Sequence, residues 1–84
     1  MEEQEIGVVD HFFSKISVGM IVLSGALKVG DTIHIKGKQT DFSQAIESMR
    51  IEFDNVDEAK EGDKVGIKVD QPLHASDKVY KVIS

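Results

Sequence analysis

The sequence predicts a small all-β domain, and three observations predict it. The first is alternation. In 32–36, Ile33 and Ile35 point one way while Thr32, His34 and Lys36 point the other. In 64–70, Val65, Ile67 and Val69 alternate with Lys64, Gly66, Lys68 and Asp70. The second is punctuation: turn residues recur at Gly25, Gly30-Asp31, Gly37, Asp54-Asn55, Gly62-Asp63 and, after the lone Pro72, Ser76-Asp77. The third is a faint internal echo. "GDTIHIKG" (30–37) and "GDKVGIKV" (62–69) share Gly-Asp, a β-branched residue and Ile-Lys, and "SDKVYKV" (76–82) repeats the rhythm with Ser for Gly. Turn-plus-strand units of this length suit a meander or Greek key rather than a solenoid, and a small sandwich or barrel is the expected form.

The elements follow in chain order. Residues 1–4 are expected to be disordered ahead of the first strand. "EIGVVDHFF" (5–13) and "SVGMIVLSG" (17–25) are rich in β-branched and aromatic residues, with Ser14, Lys15 and Ile16 as the hairpin loop between them. The strand at 32–36 comes next. "DFSQAIESMRIEF" (41–53) is ambiguous. Phe42, Ala45, Ile46, Met49 and Phe53 recur at helical spacing, and Asp41 with Gln44 imitates a capping box. Yet Met49, Ile51 and Phe53 also alternate as a strand would, so pattern leaves helix and strand open. The strand at 64–70 and a closing strand, "KVYKVI", complete the chain.

Eighty-four residues make one domain, spanning 1–84, whose core is small. With no Cys there is neither a disulfide nor a thiolate. The N-terminus is acidic where a signal peptide would be basic, and no apolar run is long enough to cross a membrane, so a cytoplasmic protein with no membrane partner is expected. The net charge of −5 is concentrated: seven acids between Glu47 and Asp63 face only Arg50 and Lys60. Such a balance argues against broad binding to a phosphate backbone but leaves room for a local basic face.

Taken together, "VLSGALKVGDTIHIKG", "IESM", "AKEGDKVGIKV" and "DKVYKV" resemble the second domain of translational GTPases, the elongation factor Tu family. Gly25, Leu27, Val29, Gly30, Asp31, Ile33 and Ile35 match one motif of that domain. Ala59, Gly62, Asp63, Val65, Gly66 and Ile67 match another. The resemblance implies a closed six-stranded Greek-key β-barrel of the translation-factor domain 2 type, and it implies that 42–53 is a strand. Similar barrels occur in collagenase-like peptidases and in free-standing elongation-factor-like proteins. Within this reading Gly25, Gly30, Asp31, Gly62 and Asp63 are structural turn residues: Gly permits φ > 0, and Asp bonds nearby backbone N–H groups.

The chain departs from the full factors where chemistry would reside. Their GTPase domain is absent. "GKQT" (37–40) has the end of a phosphate-binding loop, but Thr32 stands where its first Gly is required, so no nucleotide binding is expected. No motif marks the surface that holds tRNA in those factors.

The candidate chemical residues are few. His11, His34 and His74 match no zinc spacing, so no metal or cofactor is expected. Asp10, His11 and Ser14 supply the letters of a catalytic triad, but neighbours on a strand face opposite ways. The acids of 47–63 lack the ordered ladder of a Ca²⁺ loop. Phe12, Phe13 and Tyr80 read as core. His34, Lys36, Lys38, Lys64 and Lys68 are the candidate contacts. If the strands at 32–36 and 64–70 lie side by side, their outward lysines form a cationic stripe able to grip phosphates or an acidic partner. The expected function is a non-catalytic binding module that docks on RNA or a translation component. The alternative is a protein–protein adaptor serving a separate enzyme such as a collagenase-like peptidase. A hydrolase would need a nucleophile–base pair that the sequence does not offer.

Overall fold

The computed structural model describes residues 2–52 and 54–83, and these contain strands and turns but no helix. The strands are β1 (Glu2–Phe13), β2 (Val18–Leu23), β3 (Leu27–Lys28), β4 (Thr32–Lys36), β5 (Asp41–Ala45), β6 (Met49–Ile51), β7 (Asp54–Val56), β8 (Glu58–Ala59), β9 (Lys64–Lys68) and β10 (Lys78–Ile83). Eight of them form one antiparallel sheet in the order β5-β4-β10-β1-β2-β9-β6-β7, and β3 pairs separately with β8.

This all-β architecture differs in detail from the expectation. The described pairings run in an eight-strand order from β5 to β7 without joining those ends, so the backbone ladder does not itself show the closed six-stranded barrel. Glu2, Glu3 and Gln4, expected to be disordered, are paired with Ile83, Val82 and Lys81. Residues 42–53 are neither a helix nor one strand. They divide into β5 and β6 around 46–48, while Phe53 lies outside the described residues.

Alternation sets the core. Along β2, β4 and β9, Ile21, Leu23, Ile33, Ile35, Val65 and Ile67 turn inward and are almost fully buried. Strand β1 is long enough to serve two partners because it is irregular twice. Register shifts between Glu5 and Gly7 and between Val9 and His11 bend it, so its first half pairs β10 and its second half β2. Gly7 is required at the bend, since a Cβ there would meet Ile21 Cγ2 at 2.8 Å and the Val22 carbonyl oxygen at 2.9 Å.

The echoed turns are one device used three times. At 28–31 the Lys28 N–H donates to Asp31 Oδ2 (3.0 Å), the Asp31 N–H donates to the Lys28 carbonyl (3.1 Å), and Gly30 has φ 99°. At 60–63 the same pair of bonds joins Lys60 and Asp63, at 3.0 Å each, with Gly62 at φ 92°. At 74–77 they join His74 and Asp77 at 3.0 and 3.1 Å, and Ser76 takes the left-handed position at φ 77°. The carboxylate of each Asp folds back onto the turn it closes, and a strand follows at once.

Candidate functional site

Two surface depressions are built by these elements. The first is an apolar groove of about 600 Å³ on the outer face of β2, β9 and β6, at the tip of the β1–β2 hairpin. Alternation explains it. While Gly19 and Ile21 of β2 face the core, Val18 and Met20 face out, and Phe13 and Ile16 extend from the hairpin loop. Gly66 forms the floor: a Cβ there would stand 3.3 Å from both Met20 Sδ and Val18 Cγ1, so a larger residue would fill the groove. Phe13 and Ile16 are 44% and 61% exposed, a solvation cost that a covering partner would relieve. Arg50 and Lys68 line the groove against one acid, Glu52.

The second depression, of about 550 Å³, is lined mainly by polar and charged residues. It lies between the 37–40 loop and the 74–77 turn and is lined by Lys36, Lys38, His74, Asp77 and Lys78, among others. Its frame is rigidly bonded. Gly37 N–H donates to the Thr40 carbonyl at 2.6 Å, and Thr40 Oγ1 shares a hydrogen bond with His74 Nδ1 at 3.0 Å.

The proposed stripe is not assembled as envisaged. Strands β4 and β9 are separated by β10, β1 and β2, so Lys36 and Lys38 fall at the polar recess and Lys68 at the apolar groove. Lys64 pairs with Asp10 at 3.3 Å. His34 lies elsewhere again, with Nδ1 2.7 Å from Glu3 Oε2 and Nε2 in a short hydrogen bond to Asp41 Oδ1. With both ring nitrogens facing carboxylates, the charged imidazolium is favoured. The hydrogen bonds to Asp41 and then Glu3 raise the His34 pKa above its ordinary value, and the bond from His34 lowers that of Asp41.

The remaining candidates are dispersed. His11 packs edge-on to Phe13 with ring centroids 4.6 Å apart, while Asp10 is engaged by Lys64. Among the described residues no three His, Asp or Glu side chains come together as a metal site would require. Of the aromatics expected in the core, Phe12 packs against it but Phe13 does not. Tyr80 is half-buried beside His34. Sequence reasoning missed the groove because "VGMIVL" (18–23) carries no polar side chain, which conceals the residues that alternate outward.

The family model for elongation factor Tu domain 2 matches residues 17–71. The chain is 43% identical over 77 residues to an uncharacterized protease of Methanocaldococcus jannaschii, an alignment covering 90% of this chain and 19% of that protein. It is 35% identical over 72 residues to a collagenase of Porphyromonas gingivalis, covering 83% of this chain and 20% of the collagenase. The chain thus spans about a fifth of the length of these curated relatives. Among solved structures, it superposes on the C-terminal domain of a protein described as a U32 peptidase of Geobacillus thermoleovorans with a TM-score of 0.89. The identity is 22%, and the match covers 94% of this chain and 92% of that domain. That likeness establishes a shared fold.

Proposed function

The chain belongs to the elongation factor Tu domain 2 family, and from that premise we propose that it is a non-catalytic binding module working with a collagenase-like peptidase. The observation that carries this reading is the company the domain keeps. At 43% and 35% identity its relatives are a protease and a collagenase, of which it matches only a fifth. The apolar groove supplies the contact surface. Its occupant is an extended segment of the peptidase with an apolar anchor for Phe13, Ile16 and Met20, and an acidic flank opposite Arg50 and Lys68. In this reading the family's closed barrel is completed by a side-chain latch. Gln44 on β5 donates to the Lys68 carbonyl and accepts from the Asp70 N–H, both at 2.9 Å, so β5 reaches the end of β9 without a backbone ladder.

Calorimetry of this chain against the Methanocaldococcus protease shortened by its matching segment tests the proposal. Saturable binding is expected, weakened at least about tenfold by Phe13→Ser with Ile16→Ser, a loss of about 1.4 kcal/mol. No binding, or equal binding by the double variant, would refute it. The family membership itself favours a second reading, docking on RNA or a translation component. That reading requires binding to RNA that falls steeply with salt.

A further inference from the structure

Independently of the groove, we propose that the polar recess between the 37–40 loop and the 74–77 turn is a binding site for a phosphate group. Four observations converge there. Lys36 and Lys78 are directly opposed across β4 and β10, an arrangement in which like charges repel. Lys38 adds a third ammonium from the adjoining loop. Glu5 compensates Lys78 at 3.5 Å, and Asp41 stands opposite Lys36 across β4 and β5, but among the described residues neither Lys36 nor Lys38 has a carboxylate within ion-pair distance.

The lysines do not serve the buried acid at the floor. Asp77 is only 5% exposed, yet no lysine among the described residues forms an ion pair with it. Its Oδ2 is committed to the His74 N–H, and the nearest cationic candidate is His74 Nδ1 at 3.9 Å. The recess is also preorganised. Thr40 and Asp77 are the buried polar residues of the described chain, and both are hydrogen-bonded in its frame. Gly37 closes over Asp77, where any Cβ would collide with Oδ1. The amides of Lys38 and Gln39, by contrast, take no backbone partner among the described residues.

These features select the ligand. Ammonium groups are compact point charges suited to phosphate oxygens, whereas the planar fork of arginine suits carboxylates, and no arginine lines this recess. Lys36 and Lys38, the two ammoniums without an ion-pair partner among the described residues, exceed what the single charge of a carboxylate calls for and match a doubly charged oxyanion. A volume of about 550 Å³ accommodates a small phosphate monoester.

The test is a titration with inorganic phosphate at constant ionic strength, followed by amide chemical shifts. Saturable shifts confined to 36–39 and 74–78 are expected, with acetate producing none. Lys36→Gln combined with Lys38→Gln should weaken phosphate binding at least about tenfold, whereas Lys60→Gln should leave it unchanged. The double variant should melt no lower than wild type without phosphate, which separates lost binding from lost folding. Diffuse or non-saturating shifts, an equal response to acetate, or unaltered binding by the double variant would overturn the site. A single-stranded oligoribonucleotide distinguishes the sources. If phosphate alone binds, the ligand is a small phosphate monoester; an oligoribonucleotide without a terminal phosphate that moves the same amides and is displaced by phosphate would overturn that assignment in favour of an RNA backbone.

Discussion

The turns closed by Asp31 and Asp63 and the turn closed by Asp77 share their hydrogen bonds but not their economy. In the first two, glycine occupies the left-handed position and the Asp is only partly covered. In the third, a serine is held at φ 77° and the Asp is buried beneath Gly37. A non-glycine residue in this region costs on the order of 1 kcal/mol or more, and a buried carboxylate costs more unless its bonds are satisfied. The Gly-Asp turns therefore solve a folding problem cheaply. The Ser-Asp turn accepts strain and burial while forming a wall of the cationic recess.

The largest expected difference is at the aspartates. Asp77→Ala strips the His74 N–H of its partner and empties the space beneath Gly37, and should cost roughly 2–3 kcal/mol in urea denaturation. Asp63→Ala removes the equivalent bond near solvent and should cost about 1 kcal/mol. Equal losses would dissolve the distinction. Next come the glycines. A Cβ at Gly30 meets nothing within 4 Å, so Gly30→Val is penalised through its backbone alone, by about 1–2 kcal/mol. A melting temperature equal to wild type would show that the turn tolerates another conformation. Smaller and of opposite sign is Ser76→Gly. It relieves the left-handed serine and should stabilise by roughly 0.5–1 kcal/mol, less the entropy glycine adds to the unfolded chain. A destabilised Ser76→Gly would mean that the hydroxyl contributes more than the backbone strain removes.

The turns were legible because their chemistry is local: Gly-Asp and Ser-Asp carry their conformation within four residues. The break at 46–48 was not. Ile46 is buried because its N–H donates to the Asp31 carbonyl and its carbonyl accepts from the Gly30 N–H, both at 2.9 Å, which pins it against the turn before β4. Ile46 and Met49 thus reach one core from two short strands and their link, which mimics the spacing of a helix face. The lysine stripe failed for a related reason. Alternation shows which lysines face outward, but strand order decides which of them meet, and three strands intervene between β4 and β9. At the recess, the opposition of Lys36 and Lys78 depends on pairing 42 positions apart, beyond any local pattern.

The turn aspartates hold amides, which do not titrate in the accessible range, whereas Asp41 and Glu3 hold an imidazole, which does. This contrast predicts the smallest effect and its sign. His34 has a folded-state pKa raised chiefly by its hydrogen bond to Asp41 and then by that to Glu3, so its contribution is complete below the unfolded value near 6.5. That contribution is lost as pH rises through the raised folded value. Asp41 has a lowered pKa, so its share is present above the ordinary 3.8 and lost as pH falls through the folded value. The tie from β4 to the start of β1 and to β5 is therefore strongest between those limits. Both carboxylates are substantially exposed, so solvent screening keeps the effect modest. The difference in melting temperature between wild type and His34→Gln should be greatest near about pH 5–6 and shrink as the solution becomes alkaline. A His34→Gln difference that is flat with pH would show that the ring is held by packing alone, with no charge on it.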